Sequence, residues 1–193
     1  MGTSRQLDGC RNGSIHAFTG NPSVMHPGET TLPDRPTPPL QRLLIAVLPV
    51  AAAGILGTIA TTPNIPTWYA GLVKPGFTPP NWLFGPVWTL LYAMMAYALW
   101  RILFLGKDTP GRGTAVTTFF VQLALNALWS WVFFGAHSPL AGLAVIAFLL
   151  VAILATIHAF WPLDRAAALL LVPYLAWVGY ATALNAAVWR LNG

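Results

Sequence analysis

Four long stretches without a single ionised side chain constrain this chain more than any motif in it. No Asp, Glu, Lys or Arg occurs from Leu43 to Val73, Pro75 to Trp100, Gly113 to Leu163 or Ala166 to Trp189. A hydrocarbon core takes about 20 apolar residues per helix, so these runs hold one, one, two and one spans. Open sheet edges cannot lie in lipid, and the runs show no two-residue alternation, which excludes strands. The chain is therefore expected to be an all-α integral membrane protein, a five-transmembrane-helix bundle. Its spans are expected at about 41–62, 80–104, 113–134, 139–160 and 165–190, with Gly135 and Pro139 separating the third from the fourth.

Residues 1–40 differ in kind from the rest. They are rich in Gly, Pro, Ser and Thr and are expected to form a disordered polar N-terminal extension, leaving 41–193 as the membrane domain. The extension has no apolar core of signal-peptide length, so no cleaved secretion signal is expected. Its lone Cys10 cannot form an internal disulfide. The net charge of +5 is scattered, with no basic run that would track phosphates, so nucleic acid is not an expected partner.

Five spans put the termini on opposite sides. Arg35, Arg42, Arg101, Lys107, Arg112 and Arg165 fall on the side of the N-terminus, whereas the other side has Lys74 and Arg190. The positive-inside rule then puts the N-terminus in the cytoplasm. His16, His26, His137 and His158 lack metal-ligand spacing, and His158 is expected to be packed or at an interface. Asp108 and Asp164 sit in loops, so no paired carboxylates are available for acid–base work within a span. Neither a metal site nor a conventional catalytic set is expected.

The nine tryptophans are unevenly placed: Trp68, Trp82, Trp88, Trp129, Trp131 and Trp189 all map to the Lys74 side. Interfacial anchoring favours both interfaces, so the excess points to a ligand site opening toward that side, with Trp131 and Trp189 the first candidates for anchors. Helical spacing places Gln122, Asn126, Trp129 and Phe133 on one face, Trp177, Ala181, Leu184, Asn185 and Val188 on another, and Trp88, Leu91, Tyr92 and Met95 on a third. Core packing explains a single stripe of this kind, and interhelical hydrogen bonding explains the two amides. Three stripes at similar depth, beside the proline-stiffened stretch Lys74 to Trp88, favour a pocket. Small Ala181 leaves room beside Trp177, and Trp68, Lys74 and Phe77 belong to a loop expected to act as a lid.

The ordered motifs also carry a family likeness. Trp68-Tyr69 with Leu72 and Lys74-Pro75 is followed by Pro79-Pro80-x-Trp82 and Val87-Trp88 with Leu91-Tyr92. Gln122-Leu-Ala-Leu-Asn126-x-x-Trp129, Phe133-Phe134-Gly135, Pro173-Tyr174-Leu175-x-Trp177 and Leu184-Asn185 before Trp189-Arg190 complete the set. Over about residues 41–192 the chain resembles the tryptophan-rich sensory protein and translocator protein family, which includes the peripheral benzodiazepine receptor. The resemblance implies a five-helix bundle, usually a homodimer, in a bacterial inner membrane. It implies a pocket for porphyrins such as protoporphyrin IX and haem as ligands, with no cofactor required. Relatives also bind sterols and synthetic benzodiazepines or isoquinoline carboxamides. Family pocket roles fall on Trp82, Trp88, Asn126, Trp129, Trp177, Ala181 and Leu184, and light-dependent porphyrin degradation in some bacterial relatives implicates positions matching Trp88 and Trp177.

Three departures stand out. Phe77 replaces the tryptophan usual after Lys-Pro, Ala186 stands where the animal sterol motif has tyrosine, and Thr117 and Val121 replace a glycine pair of animal relatives. The second argues against sterol recognition through that motif. The third removes the small-residue pattern that marks the animal dimer interface.

Overall fold

The computed structural model describes residues 38–193. The N-terminal extension through residue 37, with Cys10, His16, His26 and Arg35, lies outside the described residues. Helix α1 spans Pro39–Thr61, α2 Asn81–Phe104, α3 Arg112–Ser130, α4 Pro139–Phe160, α5 Arg165–Leu170 and α6 Val172–Asn192. They make five apolar segments long enough to cross a membrane, because α5 and α6 form one span of two parts. The protein is an integral, multi-pass membrane protein. Among the described residues there is no strand.

Local chemistry explains where these helices begin. Pro39 and Pro139 occupy first-turn positions, where a missing N–H costs nothing. Ser138 caps α4 by accepting from the Ala141 amide at 3.4 Å, and Asp164 caps α5 by accepting from the Ala167 amide at 3.0 Å. Gly111, at φ 83°, supplies the left-handed residue that turns the chain into α3.

Two expected boundaries are corrected. The first span does not end at 62: α1 continues as a 3-10 turn over Thr62–Asn64 and a π turn over Ile65–Tyr69. Pro63 and Pro66 each fall where the pitch changes, so the ladder bond that each removes lies at an already irregular turn. The Asn64 side chain takes up the Ala60 carbonyl at 2.8 Å as the helix changes pitch. The fifth span is broken at Leu171, since Pro173 cannot donate to the carbonyl four residues before it.

The core explains the order of the helices. Small Ala46, Val50 and Ala53 let α1 lie against α2 and α3, α3 packs along α4, and α4 along α6. Met95, Leu99, Ile102, Phe119, Ile153, Phe160 and Tyr174 fill the space between them. Of the two placements expected for His158, the packed one is not met: it is exposed on α4.

At one end of the bundle Arg101 pairs with Asp164 at 2.8 Å, and Arg42 donates to the Phe104 carbonyl at 3.4 Å. At the other end Asn192 brackets Val73, accepting from its amide and donating to its carbonyl, both at 2.9 Å, while the Tyr180 hydroxyl donates to the Phe77 carbonyl at 2.6 Å. These three bonds tie the α1–α2 connection to α6. The expected lid of residues 63–79 is thus helical in its first part and strapped to α6 in its second.

Candidate functional site: an aromatic crevice between the helices

In the half of the bundle nearer the Lys74 loop, α1 and α2 leave a crevice of about 640 Å³. Its depth is set by glycines of α1. A Cβ on Gly54 would stand 3.1 Å from the Tyr92 ring, and one on Gly57 would stand 3.2 Å from Ser130 Oγ. The bare backbone of α1 therefore lets Tyr92 close the floor and Ser130 join the wall.

Aromatic rings form the rest. Trp88 lies 5.4 Å from Tyr92 along α2 and meets Tyr174 edge-on at 6.3 Å. Trp177 of α6 meets Phe84 edge-on at 5.8 Å. Trp129 of α3 stacks on Phe133 at 5.2 Å with an interplanar angle of 19°. Ala181, Leu184, Asn185 and Val188 complete the α6 side. No lining residue is ionisable in the physiological range, so the hollow is an apolar one with hydroxyls and amides on its rim.

The crevice opens sideways. Ile55 and Ile59 of α1 line it while remaining 60% and 55% exposed, and Gly85 and Thr89 on the facing side of α2 are also exposed. The opening between these helices lies within the apolar length of both, where the bilayer's hydrocarbon would be. Toward the membrane surface the lips become polar, with Thr61, Thr62 and Asn81.

The structure brings together Trp88, Tyr92, Trp129, Trp177, Ala181 and Leu184 of the expected site residues. The others lie elsewhere. Asn126 stands behind the floor, its Oδ1 accepting from the Tyr92 hydroxyl at 2.7 Å, and so does not face the crevice. Gln122 is fully buried one turn deeper, its Nε2 4.0 Å from Met95 Sδ. Trp82 is 71% exposed on the outside of α2. Trp68 stacks on His137 at 4.7 Å and meets Phe133 edge-on, away from the hollow. Lys74 Nζ donates to the carbonyls of Ala70 and Leu72, both at 3.2 Å, and covers the Tyr69 ring. Phe77 packs on Tyr180.

Two of these displacements have a local cause. The Lys74 ammonium takes the carbonyls at a helix end in place of water, and the Asn126 amide, within a span, takes the Tyr92 hydroxyl. Spacing missed further lining residues, among them Gly54, Thr58 and Ile59 of α1, Phe84 and Thr89 of α2, and Ser130 of α3. For those of α1 the sequence held one signal, the small residues Ala53 and Gly57 four apart, which mark close approach but not what approaches.

The bond between Tyr92 and Asn126 carries a prediction. Tyr92→Phe leaves a buried amide without its partner and is expected to lower stability by about 1–3 kcal/mol. Thermal unfolding in detergent measures it; an unchanged midpoint would mean that the hydroxyl contributes nothing to the floor.

The TspO/MBR family model matches residues 45–190. The "Tryptophan-rich protein TspO" of Archaeoglobus fulgidus is 47% identical over 151 residues, covering 78% of this chain and 97% of that protein. The "Tryptophan-rich sensory protein" of Cereibacter sphaeroides is 40% identical over 143 residues, 74% of this chain and 88% of the relative. The human "Translocator protein" is 44% identical over 128 residues, 65% and 75% of the two chains.

Proposed function

The chain belongs to the TspO/MBR family, and from that premise we propose that it is a membrane receptor whose crevice binds porphyrins, such as protoporphyrin IX or haem, and related flat lipophilic molecules. The observation that carries this is the convergence of Trp88, Trp129 and Trp177, from three helices, with Tyr92 around one hollow of about 640 Å³. That volume lies in the range of roughly 300–1,000 Å³ typical of small-molecule sites. A macrocycle with a wide π face suits walls of this kind, each good aromatic contact adding about 0.5–1.5 kcal/mol beyond area burial.

The ligand enters from the bilayer between α1 and α2. Its apolar ring lies against the tryptophans, while its carboxylates remain at the Thr61, Thr62 and Asn81 rim near the membrane surface. Lys74, engaged with its own helix end, does not receive them. Occupancy is the signal, and the role is regulatory, in keeping with the word "sensory" in the name of one relative. Active transport has less support, since no carboxylate, histidine, lysine or arginine is among the lining residues to couple an ion gradient.

Titration of the purified protein with protoporphyrin IX in the dark should quench tryptophan emission saturably. Quenching that grows linearly with porphyrin, without saturation, would defeat the receptor reading. A second reading has its own observation: Trp88 and Trp177 both border the crevice and would flank a bound porphyrin. Illumination in air then distinguishes an enzyme from a receptor. Repeated loss of porphyrin absorbance, abolished by Trp→Phe at those positions with binding intact, would favour light-dependent degradation.

A further inference from the structure

The Asn185 side chain of α6 meets groups of both α3 and α4. It is 2% exposed. With its amide oriented so that each atom meets a complementary partner, Nδ2 donates to the Pro139 carbonyl at 2.9 Å. Its Oδ1 accepts from the Leu143 amide and from Trp129 Nε1, each at 3.3 Å. Pro139 and Leu143 are four residues apart, the spacing at which helix carbonyls and amides pair. Asn185 therefore lies against the first turn of α4 and serves its backbone groups, while using the same oxygen to hold the Trp129 indole.

Room for this comes from Gly142. A Cβ there would stand 2.9 Å from the Asn185 amide, at the atom that is the oxygen in this orientation, and 3.2 Å from Phe133 Cδ2. A leucine at position 185 would keep the branching of asparagine, with two larger methyl groups in place of the amide oxygen and nitrogen, and would suit the apolar surroundings better. An amide in this place is sustained by its three bonds, because an unbonded one within a span is costly.

The consequence falls on Trp129. Indole has a single donor and no acceptor, and that donor is held by Asn185. The ring also stacks on Phe133. What Trp129 offers the crevice is π surface alone.

We infer that Asn185 is a positioning residue of the crevice: by holding the Trp129 N–H against α4 it presents Trp129 as a purely apolar wall, which favours an extended π face over a hydrogen-bonding group at that place. This rests on the proposed porphyrin site for its ligand, and on the geometry of Asn185 for everything else.

A double-mutant cycle with protoporphyrin IX as the probe tests it. Asn185→Leu is expected to weaken binding about tenfold in the native background, the loss of one oriented contact, and less than about twofold where Trp129 is already phenylalanine. Equal losses in both backgrounds would show that Asn185 does not act through Trp129 and would overturn the inference. Should Asn185→Leu fail to fold, the unaltered protein decides. The Trp129 indole N–H, identified by its absence from the spectrum of Trp129→Phe, should exchange with deuterium far more slowly than the exposed indole of Trp82. Gly142→Ala, which displaces Asn185, should speed it. Exchange as fast as that of Trp82 would overturn the clamp. If the unaltered protein binds no porphyrin, the proposed function falls, while the exchange measurement still decides what Asn185 does.

Discussion

Protoporphyrin IX affinity should fall by at least about a hundredfold when Trp88 and Trp177 are both replaced by alanine, with the helical fold retained. Each ring contributes apolar area at about 25 cal/mol per Å² and an aromatic term of about 0.5–1.5 kcal/mol. Losing two such walls removes on the order of 3 kcal/mol of binding, which is a factor of about a hundred. The fold should survive because both rings are only half-buried, facing the hollow, whereas the packing between helices rests on Met95, Leu99, Phe119 and Tyr174. Tryptophan quenching loses two reporters in this variant, so porphyrin absorbance should be followed instead. Circular dichroism checks the helices. Affinity within threefold of the unaltered protein, roughly 0.7 kcal/mol, would place the porphyrin elsewhere and remove the proposed site.

Ala181→Phe should have an effect of similar size by the opposite route. Ala181 sits one turn beyond Trp177 on α6 and lines the crevice with a single methyl group. A benzyl group there projects into the space that a macrocycle would occupy, so binding should weaken by about a hundredfold or more. Stability should hold or rise, because the ring fills a hollow instead of displacing packed atoms. That pairing separates a blocked site from a damaged protein. Ala181→Gly, which removes a methyl and leaves the hollow open, should keep porphyrin affinity close to the native value. Undiminished binding by Ala181→Phe would mean that the ligand does not pass beside Trp177.

Much of the crevice was legible because helical period converts spacing into direction. Trp88 with Tyr92, and Trp177 with Ala181 and Leu184, are each separated by three, four or seven residues, and each set does face one hollow. The same rule put Gln122 and Asn126 on the inward face of α3, which is correct, but inward is not the same as lining. Tyr92 reaches Asn126 first, and that depends on how close α2 comes to α3, a distance that no spacing encodes. Trp82 shows the complementary failure. Its motif neighbours point to a site, yet it faces outward, since it lies six residues before Trp88 and so on a different face.

The loop after α1 shows a further limit. Its prolines read as a stiff connection, and they do stiffen it, but Pro63 and Pro66 fall where helical turns tolerate them, so the helix runs on to Tyr69. Strapping by Asn192 and Tyr180 joins residues more than a hundred positions apart in the chain. Nothing local marks such a partner.

The amino-acid order by itself determined that this chain spans a membrane five times, which face of the second, third and fifth spans turns inward, and that aromatic rings gather in one half of the bundle. Those properties follow from hydrocarbon thickness and from a period of 3.6 residues, both of which act on neighbours along the chain. Tertiary structure alone decided that α1 and α2, packed together over part of their length, leave an open side in the half nearer the Lys74 loop, that Tyr92 takes Asn126 out of the crevice, and that Asn185 turns the donor of Trp129 away. Each of these is a competition among groups from different helices for the same few ångströms, and its winner is set by how closely the helices pack.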